Sequence, residues 1–344
     1  MNGNNQHRNT MKQAFLFLIL ILVSLLTGFA QSEESLNITK IWDQAPHNAF
    51  PDMIRFQDHF YVAVREGNNH MPDNSGRIQI IRSKDGNEWE KVGLLEKEDM
   101  DVREARLSVT PEGKIMVLTA VGSYDKGYKV LYPMVSFSDT DGGSFSPLQK
   151  ATMDMKPSLD WIWSLTWHEE IGYGIVYQIK PGGWEVHLLK TKNGIDFEHV
   201  SQLPIDGDPN ESTIKFDKEG KMVVLVRREA SDEMGVLAKS AYPYTVWDFT
   251  KLSVRLGGPN FLFFGKNNLL IGTRDYRETG AKTVLHRTDL EGNIEKMIEF
   301  PSGGDTSYPG MLYHKNKLWM VYYSSHEEKT SIYLSKIPLA SLRK

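Results

Sequence analysis

One hairpin pattern recurs six times along this 344-residue chain. Each copy begins with an alternating apolar stretch, passes through a polar turn, and continues into a stretch of β-branched and aromatic residues. The turns lie 47 to 57 residues apart and are marked by Asp58, Gly113, Glu170, Gly220, Asn267 and Asn316. Short strands repeated at this period predict a β-propeller of six four-stranded blades, and a pair of β-sandwiches is the alternative.

The last blade has only three obvious strands, beginning at Met311 and ending near Ile337. Residues 36–42 form a spare strand at the start of the folded region. Pairing of that strand into the last blade would close the ring and cover exposed strand edges. We therefore predict an all-β fold in which residues 31–344 form a single six-bladed β-propeller domain.

Three polar turns, at residues 83–89, 139–145 and 191–197, share a second pattern. Each has an Asp or Asn followed by Gly, with an aromatic residue four positions after the Asp or Asn. The acid or amide is expected to cap a tight turn, the glycine to take a positive φ, and the aromatic ring to pack beneath. The Asp residues of these turns are therefore expected to be structural.

The first thirty residues resemble a targeting signal. Arg8 and Lys12 precede an uninterrupted apolar run over residues 14–26, and a polar stretch follows Ala30. This pattern predicts a secretory signal over residues 1–30 that is removed after Ala30. A membrane anchor is the alternative, but the apolar run is short for a span. We expect a secreted or periplasmic protein that is not held in a membrane.

Composition excludes several kinds of chemistry. The chain contains no cysteine, so it has no disulfide, thiolate metal site or cysteine nucleophile. A net charge of −4 without basic clusters argues against nucleic-acid binding. His70, His168 and His326 lack the spacing of metal ligands, so we predict no catalytic metal and no cofactor. A structural calcium ion remains open, and a monomer is expected.

The repeat places several polar residues at one end of the predicted channel. The start of the first strand and the end of the second strand of a blade lie on the same face. Counting from the turns, we expect this face to carry Arg65, Arg227, Arg274, Glu104, Glu211, Trp161 and Tyr308. Guanidinium groups bind carboxylates through paired charge-assisted hydrogen bonds. The predicted ligand is therefore a small acidic molecule or an acidic sugar.

Tyr308 and Glu211 form a possible nucleophile and base. A tyrosine hydroxyl is a poor nucleophile near neutral pH because its pKa is about 10. It becomes useful when an adjacent carboxylate can accept its proton. A neutral nucleophile also avoids the repulsion that a carboxylate nucleophile would meet from an anionic substrate.

These segments resemble those of the bacterial sialidase and BNR-repeat superfamily, and the capped turns resemble its Asp-boxes. Residues 210–213 leading to Arg227, residues 257–259 leading to Arg274, and residues 307–310 match the segments that carry the catalytic groups. The resemblance implies a six-bladed propeller with Tyr308 as nucleophile and Glu211 as its partner. It also implies that Arg227 and Arg274 hold the substrate carboxylate and that Asp73 is the acid and base.

One position departs from the family pattern. Ala49 stands where the first of three carboxylate-binding arginines is expected. Either Arg65 or Arg103 takes its place, or the substrate is not a sialic acid. Asp101 lies in a charged cluster with Arg103 and Glu104 and is a rival acid. Trp161 is a candidate for stacking on a sugar.

The sequence thus favours a secreted exo-glycoside hydrolase of sialidase type, which retains configuration and releases a terminal acidic sugar from a glycan or glycoconjugate. Two alternatives are a non-catalytic propeller that binds acidic glycans and a polysaccharide lyase specific for uronates.

Overall fold

The computed structural model describes residues 36–343, and the signal predicted over residues 1–30 lies outside the described residues. Within the described part, the chain forms six sheets, and no helix there is long and apolar enough to cross a membrane. The first strand of each sheet contacts the first strand of the next, and the last sheet contacts the first in the same way. The protein is therefore a six-bladed β-propeller, as the repeat predicted.

The strands follow one another around the ring in chain order. The opening strand and the first two blades are β1 (Ile38–Trp42), β2 (His47–Phe56), β3 (His59–Gly67), β4 (Arg77–Ser83), β5 (Glu90–Leu95), β6 (Asp101–Val109), β7 (Ile115–Tyr124), β8 (Tyr128–Phe137) and β9 (Gln149–Lys150). The third and fourth blades are β10 (Thr152–Met153), β11 (Leu159–His168), β12 (Ile171–Ile179), β13 (Glu185–Thr191), β14 (Asp196–Leu203), β15 (Pro209–Phe216), β16 (Met222–Arg228), β17 (Met234–Ser240) and β18 (Asp248–Arg255). The last two blades are β19 (Asn260–Phe264), β20 (Asn268–Asp275), β21 (Lys282–Asp289), β22 (Ile294–Glu299), β23 (Thr306–His314), β24 (Lys317–Ser324) and β25 (Ser331–Pro338), followed by a short 3-10 turn over Ser341–Arg343.

The sixth blade contains strands from both ends of the described chain. Strand β1 pairs antiparallel with β25, with Ile38 opposite Ser335 and Thr39 opposite Leu334. The blade therefore has four strands in the order β1, β25, β24 and β23. This pairing covers the backbone edge of β25.

Neighbouring blades are tied together by side chains that hydrogen-bond to the backbone of the adjacent first strand. Four of these bonds run from Ser164 Oγ to the Ser212 carbonyl (2.7 Å), from Thr213 Oγ1 to the Pro259 carbonyl (2.6 Å), from Asn260 Nδ2 to the Pro309 carbonyl (3.0 Å), and from the Leu107 amide to Asp52 Oδ2 (2.8 Å). All four side chains are buried. These bonds fix the first strands, which carry most of the predicted catalytic residues.

The three polar turns at residues 83–89, 139–145 and 191–197 pack against the preceding blade. The Gly86 amide donates to Ser83 Oγ at 2.8 Å, and Gly86 has a φ of 75°. A Cβ at Gly86 would also collide with Trp319 of the preceding blade. This position therefore requires glycine for two reasons, its positive φ and this close contact. In the turn at residues 139–145 the capping carboxylate is that of Asp139, two residues before Asp141, which the repeat pattern suggested.

Bulges interrupt the first strands where they reach the mouth of the channel. The register shifts between Ala49 and Asp52 in β2, and equivalent shifts occur in β6 and β23. Phe50, Glu104 and Tyr308 hold the same place in these three bulges, with φ values of 52°, 57° and 52°. A bulge re-aims a side chain out of the regular alternation. The rings of Phe50 and Tyr308 meet there, with centroids 4.8 Å apart.

Candidate active site

Tyr308 and Glu211 meet at the centre of the site. The Tyr308 hydroxyl donates a short hydrogen bond to Glu211 Oε1. The other carboxylate oxygen, Oε2, lies 2.6 Å from Arg227 Nη1 and accepts a bond from the Gly258 amide at 2.7 Å. Arg227 Nη1 also lies 3.4 Å from the Tyr308 hydroxyl. The structure therefore brings the predicted nucleophile, its base and one predicted arginine together from two blades.

The surroundings set the protonation of this pair. Burial opposes ionisation of Glu211, but the charge of Arg227 and the hydrogen bond from Tyr308 outweigh it and lower the pKa of Glu211 below its ordinary value. Burial and the negative charge of Glu211 raise the pKa of Tyr308 well above 10. The phenol thus keeps its proton at neutral pH, and a carboxylate stands ready to accept that proton.

The contact with Tyr308 requires a glycine at position 258. Its φ is 57°, and a Cβ at this position would stand 2.5 Å from the ring of Tyr308. The glycine therefore allows the ring to lie against the backbone while the amide beside it reaches Glu211. This explains the glycine in the segment that leads to β19.

Arg274 is the predicted arginine without a carboxylate partner among the described residues. Its Nε donates to the Thr306 carbonyl at 2.9 Å, and its Nη2 donates to the Tyr323 hydroxyl at 2.8 Å. The guanidinium carbon lies 5.3 Å from the centroid of the Tyr308 ring. Only neutral acceptors engage Arg274, so its charge remains available to an anionic group of a substrate.

The other arginines are neutralised within the protein. Arg227 contacts Glu229 as well as Glu211. Arg65 is fully buried and forms two parallel bonds to Asp101, at 2.9 and 3.0 Å. Bidentate pairing of this kind satisfies both charges. Arg65 therefore has no free charge to offer a ligand.

Arg103 lies over the ring of Phe50. It pairs with Glu104 at 3.2 Å and Asp101 at 3.4 Å, and its guanidinium carbon lies 4.9 Å over the Phe50 ring. Phe50 in turn contacts Tyr308. The structure therefore groups Arg227 and Arg274 around Tyr308, with an aromatic ring rather than a third arginine beside them.

In the first blade, the place that departs from the family pattern involves two consecutive residues, Ala49 and Phe50. Ala49 is buried and lies opposite Arg65 in the β2–β3 ladder. The bulge brings the next residue, Phe50, into contact with Tyr308. The aromatic side chain there, rather than the small one, shapes the pocket.

Asp73 is bound within its own loop. It accepts bonds from the Ser75 amide at 3.1 Å and from Asn69 Nδ2 at 3.0 Å, and it lies 4.0 Å from Arg65. Partial burial raises the pKa of Asp73, but the Ser75 bonds outweigh it, so the pKa is lower than usual. Asp101, its predicted rival, is fully buried against Arg65. These bonds place both carboxylates in structural contacts.

The side chains of Glu104 and Trp161 are also buried. Burial, reinforced by the charge of Glu211, raises the pKa of Glu104 despite its contact with Arg103. Trp161 is 4% exposed and stacks on Tyr177 with ring centroids 5.8 Å apart. Little of the indole face is left for a sugar.

Sequence reasoning missed a cluster formed by His47, His70 and Asp305. His70 Nδ1 lies 2.8 Å from Asp305 Oδ1, and His47 Nε2 lies 2.8 Å from Oδ2. The Tyr323 hydroxyl, which accepts from Arg274, donates to Asp305 Oδ1 at 2.9 Å. The three donor atoms lie within 4.8 Å of one another, so this group could also hold a metal ion. The absence of a catalytic metal stays a prediction.

A separate cavity of about 350 Å³ runs along the first strands. Its lining includes Asp52, Arg106 and Lys215 and none of the predicted catalytic residues. Burial raises the pKa of Asp52 and lowers that of Lys215. The cavity is therefore separate from the predicted catalytic residues around Tyr308.

No protein-family model and no curated protein sequence matches the chain. Several solved structures are similar to it. A Trypanosoma rangeli sialidase in complex with sialic acid superposes with a TM-score of 0.69 at 12% identity, over 89% of this chain and 57% of that one. The phage phi92 endosialidase gives 0.68 at 9% identity, over 88% and 69%. An α-L-arabinofuranosidase from Fusarium graminearum, in complex with an iminosugar inhibitor, gives 0.64 at 12%, over 89% and 99%.

These similarities define the class of fold. The protein is a sialidase-like six-bladed β-propeller, and its structural neighbours are glycoside hydrolases. The chain spans little more than half the length of the Trypanosoma rangeli sialidase chains. At this level of identity the likeness concerns the fold.

Proposed function

We propose that this protein is a retaining exo-glycoside hydrolase of sialidase type. Tyr308 attacks the anomeric carbon of a terminal sugar, and Glu211 accepts the phenolic proton. The proposal depends on one observation, the buried hydrogen bond between Tyr308 and Glu211 with Arg227 on the same carboxylate. A tyrosine nucleophile is a known exception to the scheme of two catalytic carboxylates.

The preferred substrate carries one carboxylate on the released sugar. Arg274 lies beside Tyr308 and offers an unneutralised guanidinium, while Arg65, Arg103 and Arg227 are occupied by carboxylates of the protein. One open guanidinium suits one carboxylate. The predicted signal over residues 1–30 supports action outside the cytoplasm, on glycans or glycoconjugates.

A neutral sugar is the second candidate substrate. Phe50 stands beside the nucleophile where a carboxylate-binding arginine was expected, and most nearby arginines are already paired. The α-L-arabinofuranosidase neighbour, whose name indicates a neutral sugar, matches over nearly its whole length. This candidate keeps the same nucleophile and base.

The test is turnover by the full chain and by Tyr308→Phe on 4-nitrophenyl glucuronide, an aryl sialoside and 4-nitrophenyl α-L-arabinofuranoside. We expect Tyr308→Phe to lower kcat by about a thousandfold or more, because the attacking oxygen is lost. Tyr242→Phe, at an exposed tyrosine, is the matched control and should keep full activity. Unchanged turnover by Tyr308→Phe would reject the nucleophile.

The products separate the remaining alternatives. Release of arabinose alone would favour the neutral substrate. An unsaturated product with ultraviolet absorbance would indicate a uronate lyase. Binding to acidic glycans without release of any sugar would indicate a non-catalytic propeller.

A further inference from the structure

His70 and Asp305 form a histidine–carboxylate pair beside the nucleophile. Asp305 precedes β23 by one residue and Tyr308 by three, and His70 lies in the loop between β3 and β4. We propose that His70, held by Asp305, is the general acid and base of the reaction, an inference that depends on the proposed function.

The hydrogen bonds determine which nitrogen of His70 is free. Although burial opposes its ionisation, bonds from His47 and His70 hold the pKa of Asp305 far below its ordinary range. A carboxylate only accepts hydrogen bonds, so Nδ1 of His70 carries a proton toward Asp305 Oδ1. The Nε2 atom makes no hydrogen bond to residues 36–343, and the His70 side chain is 39% exposed. That nitrogen is therefore free to exchange a proton with a substrate.

His47 has a different part in the cluster. Its side chain is only 7% exposed, its Nε2 bonds Asp305 Oδ2, and its Nδ1 is buried without a partner among the described residues. A nitrogen enclosed in this way cannot reach a leaving group. His47 is therefore a positioning residue, which with the Tyr323 hydroxyl keeps the carboxylate facing His70.

One aromatic ring separates His70 from the nucleophile. The His70 ring stands edge-on to Phe50 at 5.3 Å between centroids, and Phe50 stands edge-on to Tyr308 at 4.8 Å. In retaining glycosidases the nucleophile and the acid lie close together on either side of the bond that is cleaved. Phe50 therefore contacts both rings, which places the proposed acid and the nucleophile around one residue of the pocket.

Two buried arginines hold the loop that carries His70. Arg65 Nη1 donates to the Asn69 carbonyl at 2.9 Å, and Arg103 Nη2 lies 3.4 Å from the His70 carbonyl. These contacts give Arg65 and Arg103 a task other than binding a substrate carboxylate. Asp73 lies three residues further on and is occupied by Ser75 and Asn69.

The steps balance as follows. Tyr308 Oη forms a bond to the anomeric carbon and passes its proton to Glu211, while the bond to the leaving oxygen breaks and that oxygen takes the proton of His70 Nε2. In the second half, a water gives a proton to Nε2 and its oxygen attacks the anomeric carbon. The bond to Tyr308 then breaks, and Glu211 returns the proton to the phenolate. Asp305 stabilises the imidazolium that exists before the first step and after the second.

The decisive measurement compares phenyl and 2,4-dinitrophenyl glycosides of the sugar that the wild-type chain releases fastest. Loss of a general acid should matter most for the poor leaving group. We expect His70→Gln to lower kcat/KM for the phenyl glycoside by about 10² to 10⁴-fold and for the dinitrophenyl glycoside by about tenfold or less. Azide should accelerate the dinitrophenyl reaction of this variant and yield a glycosyl azide.

Asp73→Asn is the matched variant in the same loop. It should change kcat/KM by no more than about threefold for either the phenyl or the dinitrophenyl glycoside. If Asp73→Asn gives the leaving-group dependence and His70→Gln does not, the inference is wrong although the proposed function stands. If the wild-type chain hydrolyses no substrate, or Tyr308→Phe keeps its activity, the proposed function fails and this inference fails with it.

A second readout concerns Asp305, whose carboxylate accepts the hydrogen bond from His70 Nδ1. Asp305→Asn should reproduce part of the leaving-group dependence of His70→Gln, lowering kcat/KM more for the phenyl than for the dinitrophenyl glycoside, which a merely structural role would not cause. Activity lost on dialysis against a chelator and restored by zinc or another divalent ion would instead assign the cluster to a metal.

Discussion

At the scale of single residues, the pKa values of two buried glutamates of the site are shifted in opposite directions. Arg227 and Tyr308 stabilise the ionised form of Glu211 enough to overcome its burial, whereas burial and the neighbouring charge of Glu211 disfavour the ionised form of Glu104. Neighbouring carboxylates disfavour each other's ionisation, and here the two environments move the two pKa values in opposite directions. The same contrast has consequences for stability.

Because the folded pKa of Glu211 lies below the unfolded value of about 4.5, its ionised form stabilises the fold above that pH, and the effect is lost as pH falls. Glu211→Gln should therefore lower the free energy of unfolding at pH 7, with the difference shrinking toward about pH 3. For Glu104, whose pKa is raised, the sign reverses: Glu104→Gln should raise stability at pH 7, with the gain vanishing below about pH 4.5. Urea unfolding at a series of pH values measures the change in the free energy of unfolding for both variants. Changes in the same direction at pH 7 would contradict this assignment.

Residue identities were predicted where a repeat or a motif marked them. Tyr308, Glu211, Arg227 and Arg274 follow from equivalent positions in successive blades and from the family resemblance. The partner of each arginine was not predictable, since Asp101 meets Arg65 only through contact between blades. A guanidinium at the mouth of the channel therefore looked free in sequence when it was already paired.

At the scale of secondary-structure elements, the joints between first strands hold the site in place. Thr213 Oγ1 donates to the Pro259 carbonyl, one residue from Gly258, whose amide bonds Glu211. Breaking this bond would leave a buried carbonyl without its donor and loosen the segment whose amide bonds Glu211. The bond thus links the stability of the ring to the geometry of the Tyr308–Glu211 pair.

Thr213→Val removes the hydroxyl and keeps the shape of the side chain. We expect the free energy of unfolding to fall by about 1–3 kcal/mol, the usual effect of an unsatisfied buried polar group. Thr39→Val, at an exposed position of β1, is the control and should change stability by less than about 0.5 kcal/mol. Urea unfolding of both variants decides the matter, and equal losses would show that the inter-blade bond contributes nothing.

Strand positions were predictable from alternation, whereas the bulges were not. Counting back from the turn of the first blade gives Ala49, but the bulge in β2 brings Phe50 to Tyr308 instead. A single extra residue leaves the hydrophobic pattern almost unchanged, so a short strand does not reveal it. The character of the pocket beside the nucleophile depends on that one-residue shift.

At the scale of the whole molecule, the ring joins residues that lie far apart in the chain. His47 and Asp305 are 258 residues apart, and they meet because the sixth blade lies against the first. The repeat predicted that these blades would be neighbours. It could not predict that loops from both would build a histidine–carboxylate cluster, because loop conformations do not follow the repeat.

The central claim is that Tyr308 forms a covalent bond to the sugar. Incubation of the full chain with a fluorinated glycosyl fluoride of its substrate should trap that intermediate, and mass spectrometry of tryptic peptides locates it. We predict one added sugar on the peptide of residues 297–315, placed on Tyr308 by fragmentation. An adduct on Glu211 or Glu104, or turnover with water and no adduct on Tyr308, would contradict the account.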